Sequence, residues 1–326
     1  MSRQGYPADR LRARIAAAGP PVPAAGCFDA LSARLAADAG FGAVHLSGAA
    51  VGAAVFGLPD LGFAGATDMV EALHRVRAGA GPDVPIVADA DTGYGDALQA
   101  AETARRYETA GAAALHLEDQ VLPKRCGHMA GKRLVPVAEA AARIAAAADA
   151  RQRLLVIART DALSVAGMPE TLVRVAAYAA AGADAIFVEG ARDRAAFEAI
   201  REAAGSLPLV VNYSEAGAAP EPPAVLAKAG VRLALYPVSA LLAGARAMRD
   251  AYRHVLAENA LPPGTMPWSE LNGLLGLDEL TETERRYLPQ QPQPQQPVAQ
   301  QPVAQQPVAQ QPEAQQPEPP HPKEPA

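Results

Sequence analysis

The fold of this chain is most constrained by a repeated alternation of short apolar runs with alanine-rich segments. Each apolar run is long enough for one strand, and each segment after it carries apolar residues at helical spacing. Strands that are apolar on both faces and are separated by helices are typical of a parallel sheet covered by helices on both sides. The predicted strands are 22–28, 43–46, 84–88, 112–117, 154–158, 185–188, 209–211 and 232–236.

Eight strand–helix units within about 240 residues predict an α/β fold, a (β/α)8 TIM-type barrel. A doubly wound open sheet is the alternative. The predicted helices are 8–18, 30–39, 67–78, 97–110, 138–148, 170–181, 193–204, 222–229 and 238–259.

Small polar residues and glycines mark the expected ends of these helices. Thr67 is predicted as the N-cap of helix 67–78, and Asp96 as a cap of the helix that follows it. Gly111 suits the C-terminal end of helix 97–110, because glycine tolerates the left-handed conformation found there. The glycine-rich stretch 47–60 is predicted as a loop.

Polar residues stand at, or just after, the carboxyl ends of six predicted strands. In a barrel these ends meet at one mouth, where the active sites of such enzymes lie. This placement favours the barrel over the open sheet and predicts a functional site at the mouth. The residues are Ser47, Asp89, Asp91, Glu118, Arg159, Glu189 and Asn212.

Four acidic residues of the predicted mouth suggest a metal site. Asp89 and Asp91 are two residues apart after a strand end, and Asp60 and Glu118 would join them. Several unpaired carboxylates in one place repel each other unless a cation neutralises them. Oxygen ligands favour Mg²⁺ or Mn²⁺. The alternative is that these acids are solvated loop residues or helix caps.

A cysteine lies in a basic loop after the strand 112–117. Cys126 is flanked by Lys124, Arg125 and His128. Positive neighbours lower the pKa of a thiol and suit it to proton transfer or attack. The alternative is a solvated basic loop with an incidental cysteine.

Two further features would bind an anionic substrate. Arg159 can hold a carboxylate with two parallel hydrogen bonds, although it could instead pair with Asp161 or Glu189. The turn at Ser47, Gly48 and Ala49 offers a hydroxyl and backbone N–H groups. Together with the acids, these groups predict a small, metal-chelating organic acid as the substrate.

The chain divides into a catalytic barrel (1–260), a helical docking segment (261–288) and a tail (289–326). In the tail Gln-Gln-Pro-Val-Ala recurs at 295, 300 and 305, and this composition predicts disorder. The net charge of −6 gives no support for binding nucleic acid or a membrane surface. Two distant cysteines and the lack of a signal-like or membrane-spanning run predict the reducing cytoplasm.

Seven motifs, in the same order from about residue 10 to 260, resemble the isocitrate lyase/phosphoenolpyruvate mutase superfamily. The branch that they resemble most contains 2-methylisocitrate lyase and 2,3-dimethylmalate lyase. The motifs are Leu-Ser-Gly (46–48), Gly-Leu-Pro-Asp (57–60), Asp-Ala-Asp-Thr-Gly-Tyr-Gly (89–95), Glu-Asp-Gln-Val (118–121), Lys-Arg-Cys-Gly-His (124–128), Ala-Arg-Thr-Asp-Ala (158–162) and Leu-Tyr-Pro-Val-Ser (235–239).

The resemblance implies a Mg²⁺-dependent retro-aldol cleavage of a hydroxy acid. By this resemblance Asp89 and Asp91 bind the metal, while Asp60 and Glu118 hold metal-bound water. Cys126 protonates the leaving carbanion. The resemblance also implies a homotetramer whose C-terminal helices are exchanged between subunits.

The resemblance assigns the remaining site residues to catalysis or to substrate contact. The predicted catalytic residues are Cys126, Glu118, His128 and Arg159. The predicted substrate contacts are Ser47, Gly48, Ala49, Gly127, Arg159, Glu189, Asn212 and Ser214.

Three departures from the methylisocitrate lyase pattern bear on the substrate. Leu242 stands where an arginine holds a third carboxylate, His45 replaces a tyrosine, and Val188 replaces a proline. These changes favour a two-carboxylate substrate such as a 2-alkylmalate. His45 is either a base or a packed structural residue.

Two other readings stay open. One keeps the fold but changes the reaction to oxaloacetate decarboxylation or hydrolysis, or to phosphonopyruvate-type chemistry. The other is a non-enzyme that binds a partner through its proline-rich tail. The intact acids and Cys126 favour the lyase.

Overall fold

Eight parallel strands close into a barrel in the computed structural model, which describes residues 5–288. Each strand pairs with the next, and the first pairs with the last through Val22 and Leu233. The TIM-type barrel is therefore confirmed, and the open sheet is wrong. The strands are β1 Val22–Cys27, β2 Ala43–Leu46, β3 Ile86–Asp89, β4 Ala114–Glu118, β5 Leu155–Thr160, β6 Ala185–Val188, β7 Leu209–Asn212 and β8 Val231–Tyr236.

Helices alternate with the strands along the chain. They are α1 Pro7–Ala16, α2 Ala30–Asp38, α3 Gly48–Val51, α4 Ala66–Ala80, α5 Ala97–Thr109, α6 Val137–Ala150, α7 Ala162–Ala180, α8 Arg194–Ala204, α9 Pro223–Leu226, α10 Ser239–Glu258, α11 Trp268–Leu274 and α12 Leu277–Tyr287.

The stretch predicted as a glycine-rich loop is partly helical. The short helix α3 continues into a π-helical turn, Gly52–Phe56. The Ser47 hydroxyl oxygen accepts the N–H of Ala50 at 3.3 Å and caps α3. The alanines between the glycines favour the helix here, and Gly57, with φ of 65°, ends it.

Two predicted helix starts are wrong, and one predicted cap is correct. Helix α4 begins at Ala66 because the Asp68 side chain accepts the N–H of Gly65 at 2.8 Å, so Thr67 is not the cap. Helix α7 begins at residue 162 and is broken at Gly167, so the predicted start at 170 marks only its second part. Asp96 accepts the N–H of Leu98 at 2.8 Å and caps α5 as expected.

The alternation of side chains along each strand builds two cores. On β5, Leu155 and Ile157 lie in one cluster with Phe187, which fills the barrel interior. Val156 and Ala158 lie in the cluster between strands and helices. The strand end therefore continues the same alternation, which sends every second side chain toward the barrel axis.

The described part of the chain divides after Gly276 into two units, of which the second contains helix α12. The domain boundary after residue 260 remains a prediction. Helices α10 and α11 bury none of their residues. The predicted tail, 289–326, lies outside the described residues. Among the described helices, none has both the length and the apolar character that a bilayer crossing requires.

Candidate active site

Strand alternation explains why polar side chains meet at the carboxyl end of the barrel. On β3, Val87 belongs to the interior core, and Asp89, two residues on, faces the same side. On β5 the same step leads from Ile157 to Arg159. On these two strands the interior row of apolar side chains thus ends in a polar group at the mouth.

A cavity of about 110 Å³ lies at this mouth. Its apolar wall includes Phe187, Leu235, Pro237 and Val238. Most of the predicted site residues line it: Ser47, Ala49, Asp60, Asp89, Cys126, Gly127, His128, Arg159, Glu189, Asn212 and Ser214.

Three predicted residues lie next to the cavity rather than in its wall. Gly48 and Asp91 line an adjoining recess together with Asp60. The N–H of Gly48 donates to Asp89 Oδ2 at 3.2 Å, so it holds an acid in this structure. Glu118 is buried, with none of its side chain exposed.

Lys124 supplies the positive charge for the acidic residues. Its Nζ lies 2.5 Å from Asp60 Oδ1 and 2.8 Å from Asp91 Oδ1. Burial alone would lower the pKa of Lys124, but Asp91, Glu118 and the other acids raise it well above its ordinary value. The basic loop therefore reaches back to the acids at the strand ends.

Two acids of the mouth, Asp91 and Glu118, are not fully compensated by their neighbours. Burial raises the pKa of Asp91 to about 6, although Lys124 acts against this. Burial also raises the pKa of Glu118 well above its ordinary value. Both carboxylate oxygens of Glu118 are buried without a hydrogen bond, since Arg159 approaches to 3.3 Å at an unfavourable angle.

This donor set fits a hard divalent cation in its chemistry, because it consists of carboxylate oxygens with unmet charge. Among residues 5–288, however, no three metal-binding side chains converge closely enough to hold an ion in this arrangement. The amine of Lys124 stands between Asp60 and Asp91. The metal assignment of the four acids therefore stays a prediction.

Arg159 is surrounded by carboxylates of the chain itself. Its Nε lies 3.1 Å from Asp161 Oδ2, and other nitrogens lie 3.3 Å from Glu118 and 3.5 Å from Glu189. Its guanidinium also lies over the Phe187 ring, 5.2 Å from the centroid. The alternative pairing is thus realised, and a substrate carboxylate would have to share Arg159 with these acids.

The loop that carries Cys126 is closed at its base by backbone hydrogen bonds. The N–H of Val121 donates to Arg133 O at 2.8 Å, and that of Val135 to Asp119 O at 3.0 Å. At the tip, the N–H of Cys126 donates to Asp60 O at 3.1 Å. The loop therefore crosses from β4 to the acid contributed by the segment after β2.

Gly127 packs tightly against Arg159 and Glu189, which form the floor of the site. A Cβ atom at this position would lie 2.6 Å from a guanidinium nitrogen of Arg159 and 2.6 Å from Glu189 Cγ. No side chain larger than hydrogen fits without moving the loop.

The predicted low pKa of Cys126 is wrong. Burial raises the pKa of this thiol above its ordinary value, and the N–H at His128 only partly opposes this effect. Lys124 forms an ion pair with Asp60 instead of facing the thiol, and Arg125 is exposed to solvent. The Sγ atom lies 4.0 Å from Nδ1 of His128, whose Nε2 lies 3.8 Å from Glu189. The thiol therefore keeps its proton near neutral pH.

His116 is a site residue that the sequence analysis missed. Its Nε2 lies 3.1 Å from Nε2 of His45, and its Nδ1 lies 3.6 Å from Asp89 Oδ1. Burial lowers the pKa of His45 to about 3 and that of His116 to about 4. His116 stands two residues before Glu118 on one strand, and this spacing was the signal that could have revealed it. The neutral, packed His45 favours the structural interpretation over the base.

Of the three departures, only His45 lines the cavity. Val188 belongs to the core between strands and helices, and Leu242 is 48% exposed on α10. Neither touches the cavity within the described chain.

The family model described as phosphoenolpyruvate phosphomutase matches residues 11–256. The chain is 37% identical over 273 residues to 2,3-dimethylmalate lyase of Eubacterium barkeri, covering 82% of this chain and 93% of that protein. It is 43% identical over 224 residues to 2-methylisocitrate lyase of Bacillus subtilis, covering 68% and 73%.

Solved structures give the same result. A crystal structure of 2,3-dimethylmalate lyase matches with a TM-score of 0.80 and 37% identity, covering 86% of this chain and 95% of that chain. Oxaloacetate acetylhydrolase with the inhibitor 3,3-difluorooxalacetate matches with a TM-score of 0.79 and 33% identity, covering 86% and 96%. Phosphonopyruvate hydrolase with oxalate and Mg²⁺ matches with a TM-score of 0.75 and 29% identity, covering 87% and 100%.

These matches cover the barrel from end to end and include named lyases of the superfamily, in agreement with the motifs quoted above. The chain belongs to the phosphoenolpyruvate phosphomutase family, within the phosphoenolpyruvate mutase/isocitrate lyase superfamily.

Proposed function

We propose that the chain is a Mg²⁺-dependent carbon–carbon lyase. It cleaves a small 2-hydroxydicarboxylate or tricarboxylate, of the 2-alkylmalate or 2-methylisocitrate type, to a 2-oxoacid and a carboxylic acid. The observation that carries this proposal is the placement of a protonated thiol, Cys126, in one small cavity with the acids Asp60 and Asp89 and with Arg159.

The thiol suits the protonation step. When the substrate hydroxyl gives its proton to a water molecule that carries it to solvent, the carbonyl forms and the electron pair of the C–C bond passes to the departing fragment. Cys126 then gives its S–H proton to the carbanion carbon of that fragment. Because burial raises the pKa of Cys126, the proton is in place before the bond breaks. His128, 4.0 Å away, would restore it.

The remaining cavity residues bind and orient the substrate. Arg159, Asn212 and Ser214 offer donors, and the Ser47 hydroxyl offers another. The N–H groups of Ser47 and Gly48 are already used, because they donate to Cys27 O and Asp89 Oδ2. The apolar wall formed by Phe187, Leu235, Pro237 and Val238 suits an alkyl substituent. Arg159 is the one lysine or arginine among the residues that line the cavity, and it already contacts three acids of the chain, which supports a substrate with few carboxylates.

Asp89 and Asp91 would hold Mg²⁺, or Mn²⁺, with Asp60 and Glu118 placed to hold its water. When bound, the cation stabilises negative charge on the oxygen at the oxoacid end. The unmet charge of Glu118 and the raised pKa of Asp91 support this assignment. The ammonium of Lys124 would have to give up its contacts with Asp60 and Asp91.

A substrate panel tests the activity. The purified protein with Mg²⁺ is assayed for 2-oxoacid release from 2,3-dimethylmalate, 2-alkylmalates, 2-methylisocitrate, oxaloacetate and phosphonopyruvate. We expect release from at least one 2-hydroxydicarboxylate, with EDTA abolishing it. If no hydroxy acid yields a 2-oxoacid, the lyase proposal fails.

Oxaloacetate hydrolysis or decarboxylation is the second candidate. The structural match to oxaloacetate acetylhydrolase and the small volume of the cavity, about 110 Å³, favour it. In the panel it would appear as consumption of oxaloacetate alone, with oxalate or pyruvate as the product.

Replacing Asp91 by alanine tests the metal assignment. Asp91 holds a left-handed conformation with φ of 44°, and its N–H donates to Asp89 at 3.1 Å. We expect Asp91→Ala to weaken Mg²⁺ or Mn²⁺ binding by at least about tenfold, because a carboxylate ligand is lost. Isothermal titration calorimetry with Mn²⁺ measures it. Asp96→Ala, which removes only a helix cap, is the control. Equal affinity in both variants would contradict the assignment.

We further propose a homotetramer with exchanged C-terminal helices, located in the cytoplasm. Helix α10 exposes Leu242, Met248, Tyr252 and Leu256 in the single chain, which supports burial by another subunit. Both cysteines, Cys27 and Cys126, are unpaired, as expected in a reducing compartment.

A further inference from the structure

Lys132 is a buried cation at the base of the Cys126 loop, and the proposed chemistry does not use it. Only 3% of its side chain is exposed. Its Nζ donates to the carbonyl oxygen of Gly127 and, at 2.9 Å, to Asp161 Oδ1. A buried ammonium needs such partners, and here they come from two different parts of the site.

Asp161 connects this contact to the floor of the site. Its side chain is fully buried and accepts from Arg159 Nε at 3.1 Å and from a second Arg159 nitrogen at 3.3 Å. Lys132 therefore joins the loop at Gly127 to the carboxylate that orients Arg159. The residue next to Cys126 and the end of β5 are held in one network.

Gln120 holds the other side of Cys126. Its Nε2 donates to Arg125 O at 2.8 Å, and its Oε1 accepts the N–H of Arg125 at 3.0 Å. Gln120 is 1% exposed and pairs with Leu134 as an isolated antiparallel bridge. Both hydrogen-bonding groups of its amide are thus used to hold one residue of the loop.

We propose that Lys132 and Gln120 are positioning residues that hold the Cys126 loop against the floor of the site. Each fixes one neighbour of the cysteine, Gly127 or Arg125. Without them, the thiol leaves its place in the wall of the cavity although every residue of the site is still present. The kinetic part of this inference rests on the proposed lyase function, but the position of the thiol can be measured without any substrate.

The rate at which iodoacetamide alkylates Cys126 reports the position of the loop. Cys126 is partly buried, and Cys27, the other cysteine, is fully buried. Peptide mass spectrometry follows the two thiols separately. We expect Lys132→Met to raise the Cys126 rate by about tenfold or more, since a charge-assisted hydrogen bond is lost. Gln120→Leu is expected to act in the same direction.

Arg133→Met is the matched control. Arg133 is the next residue and is exposed, so this change removes the same charge without breaking a buried contact. We expect it to label Cys126 within about twofold of the wild-type rate. If Lys132→Met labels at the wild-type rate, or if Arg133→Met rises equally, the proposal is overturned.

Cys27 distinguishes loop release from unfolding. Labelling confined to Cys126 supports the positioning role. If iodoacetamide also labels Cys27 in Lys132→Met, that variant is unfolded and Gln120→Leu becomes the test. Labelling of Cys126 alone in Gln120→Leu then supports the proposal. If both variants label Cys27, the pair serves folding and the proposal is overturned.

Once a substrate is known, steady-state kinetics add a second readout. We expect Lys132→Met to lower kcat by about tenfold or more while KM changes little, because the proton donor rather than the binding groups is displaced. Faster labelling of Cys126 in a protein that turns over nothing in the panel would refute the lyase and leave the positioning role standing.

Discussion

Replacing Cys126 by alanine is expected to lower kcat by about 10²–10⁴-fold, the usual contribution of a general acid. The thiol lines the cavity, and its raised pKa keeps the proton on sulfur near neutral pH. KM should change little, since Arg159 and the other binding groups remain. The measurement is 2-oxoacid release from the substrate that the panel identifies.

Two further variants separate the thiol from general effects. Cys126→Ser keeps the size of the side chain but has a hydroxyl whose proton is much less acidic, so it should resemble alanine. Cys27→Ala changes a fully buried core residue away from the cavity and should keep wild-type kcat. A Cys126→Ala enzyme within tenfold of the wild-type kcat would show that another group protonates the carbanion.

Replacing Asp119 by alanine is expected to lower the free energy of unfolding by about 3–5 kcal/mol, as is usual when one partner of a buried ion pair is removed. Asp119 is 1% exposed. It accepts hydrogen bonds from Thr160 Oγ1 at 2.6 Å, Tyr178 Oη at 2.8 Å, Asp161 N at 3.0 Å and Arg174 at 3.2 Å. All four donors would be left without this partner inside the protein. Urea denaturation followed by circular dichroism measures the change.

Glu170→Ala is the matched control, because Glu170 pairs with the same arginine. Its carboxylate lies 2.9 Å from Arg174 Nε, but 36% of its side chain is exposed. Water replaces a partner at such a site, so a loss below about 1 kcal/mol is expected. If the two variants lose equal stability, the burial of Asp119 does not determine its contribution.

The barrel could be predicted because each strand and helix is recognisable from a short stretch of the sequence. Each strand appears as one apolar run, and six of the eight strand ends carry a polar residue, as with Asp89 or Arg159. Strand alternation then carries those residues to one mouth, where the cavity brings most of them together. The closure between β1 and β8 follows from the number of units.

Pairings between distant residues could not be predicted in this way. The low pKa expected for Cys126 assumed that Lys124 faces the thiol. Lys124 instead reaches Asp60, in the segment after β2, and Asp91, just after β3. The same limit applies to Arg159, whose carboxylate partners come from three strand ends. It applies also to His116 of β4, whose partner His45 lies on β2, a strand that does not pair with β4.

The starts of two helices, α4 and α7, were predicted wrongly for a different reason. Thr67 and Asp68 are adjacent potential caps, and the reach of the Asp68 carboxylate to Gly65 decides between them. The predicted helix 170–181 covers only the second part of α7, the part with the clearer helical pattern, because Gly167 interrupts the helix. When neighbouring residues have similar tendencies to begin or cap a helix, side-chain contacts decide between them, and the sequence pattern does not contain these contacts.

The close packing at Gly127 means that an inventory of residues is not enough to judge activity in this protein. The space beside the main chain of Gly127 limits how closely the loop can approach, because a single methyl group would lie 2.6 Å from atoms of Arg159 and Glu189. An alanine at this position would force the loop, Arg159 or Glu189 to move. Such a chain would keep its thiol, its acids and its arginine, and we expect it to lose activity, because the distance between the loop and these residues would change.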